Sequence, residues 1–433
     1  MMEKKKNKES NYGIETIAVH AGSHPDPVTG ARNTPIYQTT SYVFDDVDHA
    51  ADLFNLQTFG FIYSRLTNPT VSVLEERLAS LEKGRACVAA ASGHAAQFLT
   101  FFSLMEPNHE FIASKHLYGG SITQFTHSFS KLGWKCNFVD ATNPENIKSA
   151  ITSKTKAIFI EVIANPGGVI LDLEAIASIS KDAEIPLIVD NTLATPYLLN
   201  PIEWGADIVV QSTTKFLSGH GTSLGGAVIE SGSFDWAKNN KFPGLTEPDP
   251  SYHGLSFFET FGDFAFSMKT RAVGLRDFGP CLSPANAFYT ITGIETLPAR
   301  MVRHIENAKA ISLFLEQHKK VSWISYAGLK SSQYYDLAQK YCPKGAGAVF
   351  TFGLVGGYEA GKKLVQNVNL FSHLANIGDT RSLILHPAST THRQLTEQQR
   401  NSAGAGVDVI RLSIGQESPN DLIKDLDRAF KKL

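Results

Sequence analysis

From residue 86 to residue 211, apolar β-branched runs alternate with segments of helical period, and few folds accept that order. Ala86 to Ala90, Phe111 to Ala113, Ala157 to Val162, Pro186 to Asp190 and Ala206 to Val210 read as buried strands. Ala95 to Leu104, Thr123 to Leu132 and Leu173 to Ser180 read as helices between them. Regular βα alternation predicts an α/β fold with a mostly parallel sheet and helices on both faces. Such sheets take ligands in the crevice beyond the carboxyl ends of their strands. A nicotinamide site would put Gly-x-Gly-x-x-Gly after the first strand, and Ser92-Gly93-His94-Ala95 does not supply it.

One lysine stands at such an end. Lys215 follows the strand of Ala206 to Val210 in the run Gln211-Ser212-Thr213-Thr214-Lys215, with Gly219 and Gly221 after it. Asp190 closes the strand before that one. A strand-end lysine taken alone is ordinarily solvated. An amine and an acid at two strand tips, however, are what pyridoxal phosphate needs, the amine for a covalent link and the acid for the pyridinium nitrogen.

The neighbouring turns add to this. Ala91-Ser92-Gly93-His94-Ala95-Ala96 passes from strand to helix, where small residues and free amides favour an anion. Ser212 and Thr214 offer hydroxyls nearby, although tight turns explain many such glycines. Tyr118-Gly119-Gly120 places a ring that could stack on a flat heterocycle, or simply a half-buried turn tyrosine. Glu161 and Asn165 frame a further strand end, and Asn165-Pro166-Gly167-Gly168 is equally an ordinary turn. Arg65, in Tyr63-Ser64-Arg65, suits a phosphate. Arg411 lies inside the strand-like Val409 to Leu412, where a guanidinium needs an anion, either an internal carboxylate or one from a substrate.

Outside this stretch the signals divide the chain. Residues 1–67 carry turn signals and apolar residues such as Tyr42, Val43, Phe44 and Phe59, and read as an extended arm that the rest of the subunit and a partner subunit must cover. Asn68-Pro69-Thr70 starts a helix with a cap and a first-turn proline; Val71, Leu74, Leu78 and Leu81 share a face, and Gly84 is expected to end it. Residues 68–268 form the α/β domain, with Phe242 to Phe261, rich in proline, glycine and aromatics, separating it from the C-terminal part. In residues 269–433 a long helix (299–317), short strands (348–352 and 409–412) and a last helix from Asp421 make a smaller α+β domain.

Composition limits the partners. With 40 Lys and Arg against 42 Asp and Glu, the net charge of −2 gives no field for nucleic acid or a membrane surface. The one charge run, Lys4-Lys5-Lys6-Asn7-Lys8, reads as a tail, and no stretch is apolar enough to span a bilayer. Cys87, Cys136, Cys281 and Cys342 are too scattered for a zinc site or a disulfide framework, so reduced thiols in the cytoplasm are expected and no metal.

Tyr63-Ser64-Arg65 with Asn68-Pro69-Thr70, Ser92 to Ala96, Tyr118 to Gly120, Val189-Asp190-Asn191-Thr192 and Ser212 to Lys215 together resemble the cysteine/methionine-metabolism family of pyridoxal phosphate enzymes. The likeness runs from about residue 12 to 430. Ala91 to Ala96, Gly244 to Pro248, Tyr252 to Leu255, Asn376 to Asp379 and His386 to His392 are most similar to the branch acting on O-acetylhomoserine.

The resemblance implies a fold type I pyridoxal phosphate transferase, and it implies roles. Lys215 would carry the cofactor and shuttle protons, Asp190 would hold the ring nitrogen protonated, and Tyr118 would stack on the ring and assist the leaving group. Thr192 would sit at the other face. Ser92, Gly93, His94, Ser212 and Thr214 would bind the phosphate, helped by Tyr63 and Arg65 of a neighbouring subunit. Asn165 would meet the ring hydroxyl, and Arg411 and Asn376 would bind substrate. Partners would be O-acetylhomoserine, sulfide or methanethiol, and further copies of the chain, as a homotetramer built from two dimers. One departure is His94, where much of the family has methionine; a loop histidine is ordinarily polar filler rather than a base. A γ-lyase or cystathionine synthase on the same scaffold remains the nearest alternative.

Overall fold

The structure is a computed structural model describing residues 12–165, 168–390, 393 and 404–433. The Lys4–Lys8 run, Pro166, Gly167, Thr391 and His392 lie outside the described residues. The alternating half of the chain forms one seven-stranded sheet of β1 (Ala86–Ala90), β2 (Glu110–Ser114), β3 (Lys135–Val139), β4 (Thr155–Glu161), β5 (Leu187–Asp190), β6 (Ile208–Gln211) and β7 (Gly226–Glu230). The order is β1-β7-β6-β5-β4-β2-β3. Only β7 opposes its neighbours β1 and β6; the other pairs are parallel, as expected. Six carboxyl ends therefore share one edge.

Central strands read as unbroken apolar runs because both their faces are covered. Along β4, Ile158 and Ile160 enter one core while Ala157 and Phe159 enter the other. In β5, Leu187 and Val189 face the first core and Ile188 the second. Sequence pattern alone does not disclose strands β3 and β7. Lys-Cys-Asn-Phe-Val in β3 lies at the sheet edge and is only partly buried, so it lacks the strong apolar signal. Thr123 to Leu132 is less regular than expected, with a π turn over Gln124–Ser128 and a 3₁₀ turn over Phe129–Leu132. The stretch from Phe242 to Phe261 does not stand clear of the sheet, since Phe242, Leu245, Phe257 and Phe261 are buried in the second core.

The arm is not wholly extended. It contains α1 (Ile14–His20) and α2 (Val47–Phe54). Behind it, α3 (Pro69–Leu81) begins as the sequence predicts: Asn68 Oδ1 accepts the amides of Thr70 (3.0 Å) and Val71 (3.4 Å). The Asn68 amide group also donates to Tyr37 O, Tyr42 Oη and Ser64 Oγ, fastening the arm to the helix start. The buried Arg77 of α3 donates to Ala21 O and Ser23 Oγ after α1. At the far end Lys83, not Gly84, takes the left-handed φ of 59°, and Gly84 N bonds back to Ala79 O. Gly84 is there for space, because a Cβ would run into Ile229.

The C-terminal sheet comprises β8 (Val321–Ser325), β9 (Val349–Leu354), β10 (Ser372–His373), β11 (Leu383–Leu385) and β12 (Val409–Ser413), in the order β10-β11-β12-β9-β8. The helices Leu297–Glu316 and Pro419–Phe430 accompany it. The first core runs unbroken from Val189 and Phe216 through Leu297 and Met301 to Phe350 and Leu412. Arg300, buried on the long helix, donates to Phe216 O (2.8 Å) and Leu217 O (3.2 Å), bracing the turn that carries Lys215.

Candidate active site

At the shared edge of the large sheet, the turns after β1, β2, β4, β5 and β6 surround a cavity that β12 and the 375–377 segment close from the second sheet. Lys215, Asp190, Tyr118, Asn165 and Thr192 line it, as do Ser92, Gly93, His94, Ser212 and Thr214. Arg411 and Asn376 complete the wall. Of the residues singled out from sequence, only Tyr63 and Arg65 stand elsewhere. Both are exposed, with the Arg65 guanidinium 5.5 Å from the Tyr63 ring centre.

Lys215 Nζ donates to Asn376 Oδ1 at 2.6 Å. Burial, and secondarily the charge of Arg411, push its pKa down to about 8. Arg411 spans the two sheets: Nη1 donates to Asn165 Oδ1 (3.3 Å) and Nη2 to Asn376 O (3.2 Å). No carboxylate pairs with it among the described residues, so of the two readings of this arginine the internal ion pair is absent there. Burial pulls its pKa down to about 10.

Asp190 ends β5. Its Oδ1 accepts Thr192 N (3.0 Å) and its Oδ2 accepts Gln97 Nε2 (3.3 Å). Burial raises its pKa, and these hydrogen bonds oppose the rise. Thr192 Oγ1 in turn accepts Ser212 N at 2.8 Å, which locks the turns after β5 and β6 together. Gln97 is a site residue that the motifs do not mark. It lies one helical turn beyond Gly93, on the face that looks back to the same edge, and that spacing is the signal the sequence holds for it.

The phosphate-type cradle is built by Gly93–Leu104, a helix capped by Ser92, whose Oγ accepts Ala95 N. The amides of Gly93 and His94 have no partner among the described residues. A Cβ on Gly93 would come within 2.8 Å of Ser212 Cβ, so glycine is what lets the two turns meet. The His94 ring lies 5.8 Å from that of Tyr118, tilted by 30°. Burial first, then Lys215, hold its imidazole below the usual pKa.

These features fit pyridoxal phosphate. An amine of lowered pKa can be neutral and nucleophilic, and a partly desolvated acid waits for a cationic ring nitrogen. Free helix-start amides with the Ser212 hydroxyl suit a phosphate, and Tyr118 supplies a flat wall.

A sequence model of the family described as Cys/Met metabolism PLP-dependent enzyme matches residues 15–431. The chain is 50% identical over 432 residues, 98% of each chain, to an O-acetyl-L-homoserine sulfhydrylase of Leptospira meyeri. It is 46% identical to O-acetyl-L-homoserine sulfhydrylase 1 of Thermus thermophilus, over 96% of this chain and 99% of that one. Among solved structures, it superposes with a TM-score of 0.94 on a Campylobacter jejuni chain described as an O-acetylhomoserine (thiol)-lyase with a pyridoxyl-lysine monophosphate. That chain is 40% identical and is covered over its full length, with 97% of this chain matched.

Proposed function

Because the chain belongs to the Cys/Met metabolism family of pyridoxal phosphate-dependent enzymes, we propose that it replaces the acetate at the γ-carbon of O-acetylhomoserine by sulfide, yielding homocysteine and acetate, and that methanethiol can serve in place of sulfide. The observation that carries this is one cavity holding a neutralisable lysine, a strand-end acid and an arginine free of any carboxylate among the described residues.

Pyridoxal 5'-phosphate is the cofactor; when bound, its ring accepts the electron pair left by a departing proton. Lys215 would hold it covalently, Asp190 would meet its ring nitrogen, and Tyr118 and Thr192 would lie against its ring. Ser92, Gly93, His94, Ser212 and Thr214 would bind its phosphate, and Asn165 its ring hydroxyl. Arg411, with Asn376 beside it, takes the substrate's α-carboxylate and so points the α-hydrogen at Lys215. Lys215 Nζ, freed when the substrate's amine takes its place, removes the α-proton, gives it up before taking a β-proton, and returns both as homocysteine forms. A pKa near 8 leaves part of the amine neutral at pH 7. Acetate leaves from the γ-carbon on the Tyr118 side, and sulfide adds at that carbon.

The assembly we infer is a homotetramer of two dimers in the cytoplasm, with Tyr63 and Arg65 of one subunit reaching the phosphate of the next. Exposed Val43, Phe44, Phe54 and Phe59 on the arm support such a covering partner, as does Leu224 at the cavity mouth. No helix of the described residues is long and apolar enough to cross a membrane.

Cofactor-loaded protein given O-acetylhomoserine with and without sulfide tests the reading. Homocysteine that appears only with sulfide, with little 2-oxobutyrate, is expected. Dominant 2-oxobutyrate in the presence of sulfide would make the chain a γ-lyase instead.

A further inference from the structure

Glu161 ends β4 directly beside Asp190 in the parallel register and is 4% exposed. Both its oxygens are engaged. Oε1 accepts Tyr118 N at 2.7 Å, and Oε2 accepts Asn165 N at 3.1 Å. No cation pairs with it among the described residues. A buried acid without a counter-ion is costly, so its retention needs a reason. The two amides it holds belong to different turns, one after β2 and one after β4. Asn165 in turn accepts Arg411 Nη1 through its side chain. A carboxylate is the one side chain that offers two acceptor atoms and no donor. Glutamine would turn an N–H toward one of those amides. Burial first and the neighbouring Asp190 second push the pKa of Glu161 well above the usual carboxylate range, and the two amides it accepts oppose that rise.

Resting on the functional reading above, we propose that Glu161 is a positioning residue that sets Tyr118 at the cofactor ring and, through Asn165, sets Arg411 at the substrate carboxylate. One group then fixes the spacing between the cofactor wall and the substrate anchor, and its loss disturbs both binding events together.

Glu161→Gln is the variant to measure. Its apoprotein should bind pyridoxal phosphate about tenfold more weakly by equilibrium dialysis, as expected for one disrupted buried hydrogen bond. The loaded enzyme should show a KM for O-acetylhomoserine raised about tenfold. The KM effects of Glu161→Gln and Asn165→Ala should combine to less than their product, since both act on Arg411. Wild-type cofactor affinity and KM in Glu161→Gln, or strictly multiplicative effects, would overturn the inference. If Glu161→Gln does not fold, Glu161→Asp keeps both acceptors at shorter reach, and unchanged values there would overturn it equally. Wild-type protein that binds no pyridoxal phosphate, or binds it and makes no homocysteine, would instead overturn the functional reading.

Discussion

Lys215 is held before any ligand arrives, with its amine on Asn376 and its positive charge discouraged by burial. An unfolded lysine titrates near 10.5 and this one near 8, so the folded state binds the proton less tightly. The cost of burying this charge is fully present below pH 8 and fades as pH rises from 8 to 10.5. The rate at which the apoprotein captures pyridoxal phosphate, trapped by borohydride, should therefore rise with a midpoint near pH 8 rather than 10.5. Lys215→Ala should lower turnover by more than about a thousandfold with the melting temperature little changed; an active variant would remove Lys215 from its role. Arg411→Ala should raise KM by about tenfold or more while the cofactor stays bound, as read by steady-state kinetics and visible absorbance. Most of these side chains are legible in the sequence because strand ends are legible. Gln97 is not, since a helix face needs a partner before its direction has meaning.

Elements carry these residues into place through a few contacts between turns. Gly120 is the second residue of the short helix Gly119–Thr123, and a Cβ there would strike the Tyr118 ring and come within 2.8 Å of His94 Cε1, so the two rings share a wall only because glycine leaves them room. At the end of α3, buried Glu82 accepts from Asn191 and Gln211, the residues just after Asp190 and just before Ser212. Its pKa is raised to about 7 by burial, with those amides opposing the rise. Glu82→Ala takes one acceptor from each amide, leaving Asn191 with Leu199 O and Gln211 with Asn191 O, and a loss of about 2–4 kcal/mol in denaturant unfolding is expected. Nothing in local sequence marks Glu82, because its partners lie more than a hundred residues away. The helix start at Asn68 is readable for the opposite reason, since cap, proline and apolar face are all local. Strands β3 and β7 stay hidden, one at an edge and partly buried, the other following glycines rather than a helix.

At the scale of the molecule, the arm reads as chain that something must cover; in a single copy Leu53 is buried, while Val43, Phe44, Phe54 and Phe59 are exposed. The proposed sharing of the site between two chains can be tested by complementation. Chains carrying Lys215→Ala and chains carrying Arg65→Ala should each be weak alone. Co-expressed, they should regain activity, because a mixed dimer holds one site whose lysine and arginine are both intact. Failure to regain activity would confine each site to a single chain. How subunits meet is invisible in a linear sequence except as apolar residues with nothing yet to touch.

Those same residues bear on how the protein is made. Val43, Val47, Phe54 and Phe59 precede every strand of the large sheet, so they leave the ribosome before the elements that carry the site. On the assembly proposed above, each new copy displays this surface until it meets another, so pairing competes with aggregation from the moment of release. Yield in a producing cell should then depend less on the strength of the fold than on how quickly two young chains find each other.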